Sequence, residues 1–100
     1  MKVLKFGGSS VATPARVQSA IDIIKPYLTG DVAIVFSAFG GVTDSLIQIS
    51  KLALDGNLQY KNRLAELETR HLDAVRQLIN IQRQSSILAQ VKFLINELED

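Results

Sequence analysis

Four consecutive apolar residues, Ala33-Ile34-Val35-Phe36, constrain this chain more than any other feature. They show no polar alternation, and a strand that reads this way is normally covered on both faces, as in a parallel sheet. Parallel neighbours cannot be joined by a tight turn; they need a crossover, usually a helix, and the crossover is almost always right-handed. The residues before Ala33 supply those parts. Lys2 to Phe6 reads as a first short strand ending at Gly7-Gly8, followed by Ser9-Ser10-Val11-Ala12. Thr13-Pro14 then forms a helix start, with Thr as N-cap and Pro at the first helical position, where its missing N–H costs nothing. Val17, Ala20, Ile21, Ile24 and Leu28 recur at helical spacing. Pro26 should distort the last turn, and Gly30 should end it. After the second strand, Val42, Leu46, Ile49 and Ala53 mark one face of a further helix. The expected fold class is therefore α/β, with a β-α-β-α unit over residues 1–56.

The pattern changes near Asp55-Gly56-Asn57. Beyond it there is no Gly or Pro, and the chain is charged and helical. Leu64, Leu67, His71 or Leu72, Val75 and Leu78 give one amphipathic helix between Leu58 and Ile79. Ile87, Leu88, Val91, Leu94, Ile95 and Leu98 give another between Ser85 and Leu98. A polar link, Asn80 to Gln84, predicts an antiparallel helical hairpin over residues 57–100. The charges Lys61, Arg63, Glu66, Glu68, Arg70, Asp73 and Arg76 read as a solvated face with local ion pairs. His71 is the single histidine and lies among Leu67, Leu72 and Val75, so a packing or surface role is expected.

Composition removes several function classes. With no cysteine and one histidine, there is no disulfide framework, thiol nucleophile, or zinc site of the Cys or His-cluster type. A net charge of +1, few aromatics and no Lys/Arg-rich run argue against nucleic-acid binding. No signal peptide is recognisable, and no apolar run approaches a membrane span of about 20 residues. We therefore expect a cytoplasmic protein with no nucleic-acid or membrane partner.

Two loops remain that can carry chemistry. Both follow a strand, and in a parallel sheet both would sit beyond the carboxyl ends of the strands, where open α/β sheets bind ligands. The first is Lys5-Phe6-Gly7-Gly8-Ser9-Ser10. Its glycines let backbone N–H groups approach an anion, its serines add donors, and Lys5 can set positive charge against phosphate oxygens. Gly-Gly is also ordinary turn chemistry, and the loop is neither a Walker loop nor a G-x-G-x-x-G fingerprint. The second is Ser37-Ala38-Phe39-Gly40-Gly41-Val42-Thr43-Asp44, which runs into a helix N-terminus, a favourable place for a carboxylate or phosphate. Here Ser37 and Thr43 can donate to an anion, or Thr43 can simply cap the helix while Ser37 satisfies turn backbone. Side by side, the loops suggest a site for two anionic groups, as a kinase acting on an acidic substrate requires.

Lys5-Phe6-Gly7-Gly8-Ser9-Ser10-Val11-Ala12 closely resembles the N-terminal signature of aspartate kinases, K-F-G-G-[ST]-S-V, with Ser9 where Thr is more usual. Val35-Phe36-Ser37-Ala38-Phe39-Gly40-Gly41-Val42-Thr43-Asp44 resembles that family's second motif, V-x-S-A running into G-[VI]-T-[DN]. Other amino-acid kinases keep a Lys-x-Gly first loop but not this second segment. The resemblance implies the start of an amino-acid-kinase-type fold. It implies transfer of phosphate from ATP, with Mg2+, to L-aspartate, giving β-aspartyl phosphate for lysine, threonine, methionine and isoleucine synthesis. It implies Lys5 as the catalytic cation, Lys5, Phe6, Gly7, Gly8 and Ser9 as the nucleotide-binding loop, and Ser37 and Thr43 beside the aspartate. No metal ligand is carried over.

The resemblance spans essentially all of residues 1–100 but only the beginning of such a catalytic domain. The 100 residues by themselves are accordingly expected to be inactive. A two-stranded parallel sheet exposes its edges, so self-association is expected through a sheet edge or the exposed helix faces. Two alternatives stand beside this reading: another amino-acid kinase, or a non-catalytic interaction module built on the helical hairpin.

Overall fold

A computed structural model describes every residue from Met1 to Asp100. The chain forms two compact units, Met1–Thr43 and Asp44–Asp100.

In the first unit, strand β1 (Lys2–Phe6) leads through a 3-10 turn (Gly8–Val11) into helix α1 (Pro14–Ile24). Thr13 caps α1 as expected: its backbone is extended and its Oγ1 accepts the Arg16 N–H at 3.2 Å. Pro26 lies in a 3-10 turn, Lys25–Tyr27, where a proline is tolerated because the α-helical bonding has already ended. Strand β2 (Val32–Phe36) returns parallel to β1, in a register that pairs Lys2 with Val32, Leu4 with Ile34 and Phe6 with Phe36.

Side-chain alternation puts Leu4, Phe6 and Ile34 on one sheet face. They pack with Val11, Val17, Ala20, Ile24 and Phe39 into the unit's core. The opposite face carries Val3, Lys5, Ala33 and Val35 and is largely open: Val3 is 63% and Val35 50% exposed. The expectation that β2 is covered on both faces is therefore corrected. With two strands and one crossover helix, only one layer is available to cover the sheet. Phe36 is 52% exposed even on the helix side, although its ring stacks on Phe6 with centroids 5.4 Å apart.

Helix α2 (Val42–Leu54) starts in the first unit and has most of its length in the second. It ends at Gly56, φ +70°. The Asn57 N–H donates to Leu52 O (2.9 Å) and the Gly56 N–H to Ala53 O (3.1 Å), the paired bonds of a Schellman stop. This stop lies at the expected composition change, within the second compact unit. Most of α2 goes with the helices that follow; the Arg63 guanidinium, for example, donates to Gln48 Oε1 at 3.0 Å.

Helices α3 (Tyr60–Leu78) and α4 (Ile81–Glu99) form the antiparallel hairpin: the Tyr60 hydroxyl at the start of α3 reaches Glu99 Oε2 at the end of α4, 3.4 Å away. The polar link expected at Asn80–Gln84 is shorter than that. Only Ile79 and Asn80 leave helical geometry, both extended, and α4 begins at Ile81. Gln84, read as link, lies inside α4 and donates its amide to Ile79 O (2.8 Å) and Arg76 O (3.1 Å), carbonyls at the end of α3. A polar side chain thus satisfies carbonyls that a helix end leaves without partners. Ile49, Leu64, Leu67, Leu72 and Ala74 are the buried residues of this unit, while α4 buries none fully. No helix is long and apolar enough to cross a membrane.

Candidate functional site

Both strands end at one rim. Phe6 pairs with Phe36, and the ladder continues one step further as the Ser37 N–H donates to Phe6 O at 2.9 Å. The two loops therefore leave the sheet side by side, and they touch through main chain. A Cβ built on Gly8 would lie 3.5 Å from Gly40 Cα and 3.6 Å from Ala38 O. One built on Gly40 would lie 3.0 Å from Gly8 O and 3.0 Å from Ala12 Cβ. Gly40 is needed because no side chain fits between the loops. Gly41 is needed for a different reason. It has φ +83°, in a turn closed by the Val42 N–H on Phe39 O (3.0 Å), and L-residues avoid that region.

The first loop is not the open glycine turn its composition suggests. Gly8–Val11 winds into a 3-10 turn, with the Ser10 N–H donating to Gly7 O at 3.0 Å and Val11 buried beneath it. Short helical turns of this kind leave their first N–H groups without internal acceptors, which suits an anion. Ser9 and Ser10 remain exposed. Together with Phe6, Arg16, Ser19, Ala20 and Ile23 they line an open cleft of about 270 Å³.

Each expected residue has a definite place. Lys5 is exposed on the open sheet face, opposite Val35, at the end of β1. The Phe6 ring is buried in the core, so what it brings to the rim is its main chain. Gly7 and Gly8 are half-buried, and Gly8 lies at the loop contact. Ser37 is exposed where β2 ends. Thr43 is exposed inside the first turn of α2, which starts at Val42, so the capping role considered for it does not apply. His71 is half-buried, with Nδ1 2.8 Å from Leu67 O one turn back. No group of three His, Asp or Glu side chains is placed to hold a metal ion.

The residue that sequence reasoning passed over is Arg16. Its Nη1 donates to Ser9 O at 2.7 Å, tying α1 to the first loop. Position alone offered a hint, since an arginine one turn into the helix that follows a candidate phosphate loop can reach back to it.

Residues 1–98 match the model of the amino acid kinase family. The chain belongs to that family. Family members similar to it include a bifunctional aspartokinase/homoserine dehydrogenase 2 of Zea mays, 29% identical over 89% of this chain and 10% of the relative. Aspartokinase 1 of Arabidopsis thaliana is 32% identical over 76% of this chain and 14% of its own length. An aspartate kinase of Stutzerimonas stutzeri is 39% identical over 49% of this chain and 12% of its own length. The chain thus spans between 10% and 14% of these relatives. Membership makes it part of a kinase fold, and the two-stranded α/β arrangement agrees with the start of one.

Proposed function

We propose that this chain carries the phosphate loop and part of the acceptor site of an aspartate kinase. The observation that carries the reading is the main-chain contact of Gly8 with Gly40, which holds the two loops at one rim. The aspartokinase names of the relatives support the choice of substrate.

The chemistry suits the residues. The nucleophile is the side-chain carboxylate of L-aspartate, ionised at neutral pH because its pKa is about 3.9. One of its oxygens forms a bond to the γ-phosphorus of ATP as the bond from that phosphorus to the bridging oxygen breaks and ADP leaves. No proton has to move, so the lack of cysteine and the single histidine are no objection to this step. What the protein supplies is placement and charge. Lys5 neutralises the transferring phosphoryl group. Main-chain N–H groups at Gly7, Gly8 and Ser9 line the phosphates, and Ser37 and Thr43 orient the aspartate. The Mg2+ that accompanies ATP would arrive with the nucleotide, held by phosphate oxygens and water, as this ion usually is.

The same reading places the protein in the cytoplasm, in the supply of lysine, threonine, methionine and isoleucine. It also predicts self-association, since Val3 and Val35 on the sheet and Phe93 and Leu94 on α4 leave apolar surface exposed. Sedimentation showing a monomer at high concentration would remove that part.

The test is a titration of the 15N-labelled chain with MgATP and, separately, with L-aspartate. Shifts over residues 5–11 with nucleotide and over residues 37–44 with aspartate are expected. In the protein that carries this chain in the cell, Lys5→Ala should abolish hydroxylamine-trapped acyl phosphate. Full activity of that variant would refute the assignment.

A further inference from the structure

The peptide group between Ser9 and Ser10 is held at both ends. Its carbonyl accepts from Arg16 Nη1 at 2.7 Å, and its N–H donates to Gly7 O at 3.0 Å. In a trans peptide these two groups point in opposite directions, so fixing both fixes the plane. Arg16 is itself well placed. Its backbone N–H is the one capped by Thr13 Oγ1 (3.2 Å), which sets the first turn of α1 against the loop. A guanidinium on a carbonyl is a charge-assisted bond, stronger than a neutral one.

We propose that Arg16 is a positioning residue for the first loop. It clamps the Ser9–Ser10 peptide, which fixes the winding of the loop, and it neutralises the Ser9 carbonyl, which would otherwise repel phosphate. This rests on the reading of that loop as a phosphate site. The clamp itself is a property of the unliganded chain and can be measured without nucleotide. Arg16 is exposed, and its guanidinium lies outside the core, so its removal need not unfold the unit.

The experiment compares the unaltered chain with Arg16→Met, which keeps the stem and loses the donors, and Arg16→Lys, which restores a positive donor. Amide exchange at Ser10 should rise about tenfold in Arg16→Met, while Leu4 in β1 and Ala20 in α1 keep their rates. MgATP should bind about tenfold more weakly, and Arg16→Lys should recover part of both effects. Unchanged Ser10 exchange in Arg16→Met overturns the clamp. So does an equal rise at Leu4 and Ala20, which would mark a general structural role. Faster Ser10 exchange with MgATP affinity unaltered overturns its service to the ligand. The MgATP affinities are read in the protein that carries this chain; if that protein binds no MgATP, the phosphate-site reading fails, and with it the ligand half of this proposal, while the Ser10 rates decide the clamp alone.

Discussion

The two units are held together by opposite means. The first brings its loops together where there are no side chains: Gly8 and Gly40 meet main chain to main chain, with Ala12 beside them. The second relies on side chains along helices, with Leu64, Leu67 and Leu72 buried on α3. One arrangement should fail when an atom is added and the other when atoms are taken away. Functional sites that grip anions with backbone need the first kind of packing, because main-chain N–H groups are reached only where side chains are absent.

The comparison can be broken most forcefully in the second unit. Leu67 is 6% exposed, and Leu67→Ala should cost about 2–5 kcal/mol, seen as a lower midpoint in urea followed at α3 amides. Adding one carbon in the first unit should act in the same direction by a different cause. Gly40→Ala places a Cβ 3.0 Å from the Gly8 carbonyl oxygen, which is backbone and cannot rotate away. A cost of about 1–3 kcal/mol is expected, with chemical-shift changes at Gly8 and Ala12. Pairing it with Ala12→Gly should recover only part of the loss, because the clash with Gly8 O remains. Full tolerance of Gly40→Ala would mean that the loops do not rest on each other.

A smaller effect tests a local device. Thr13→Ala removes the Oγ1 that accepts the Arg16 N–H, and about 1 kcal/mol should be lost from the first unit. The loss should show as earlier melting of α1 amides. It should also loosen Ser10, because the helix turn that carries Arg16 is then less firmly placed.

Local signals were the ones legible in the sequence. Thr13-Pro14 announced the α1 start, and the glycine ending of each strand announced the loops, because both depend on the chemistry of one or two residues. The parallel pairing was also legible, since the spacing between the strands leaves room for a helix. What the sequence could not convey was anything set by distant neighbours. The run Val32–Phe36 is apolar enough for a fully covered strand, yet coverage depends on which layers exist, and here α1, with Val11 and Phe39, packs on one face of the sheet. Gln84 looks like a linker residue until its amide is seen on the carbonyls of Arg76 and Ile79. Arg16 looks like any charged residue of an exposed helix face until the Ser9 carbonyl is found against it. At the rim, the residue types of both loops could be read beforehand, but the 3-10 winding of Gly8–Val11 and the Gly8–Gly40 contact could not.

The smallest expected change in stability is the sharpest test of the comparison, because it separates fold from site within a single contact. Gly8 faces Gly40, but a Cβ on Gly8 would meet its nearest atoms at 3.5 and 3.6 Å, ordinary van der Waals distances, and its φ is not in the left-handed region. Gly8→Ala should therefore leave the first unit as stable as before, or raise its stability by about 0.5 kcal/mol through the reduced freedom of the unfolded chain. If the loop grips phosphate with its main chain, the same methyl stands beside N–H groups that the ligand must approach, and MgATP should bind more weakly although the fold is intact. Loss of stability would show that Gly8 serves the loop contact as Gly40 does. Unaltered stability together with unaltered MgATP binding would show that the ligand does not come to this side of the loop.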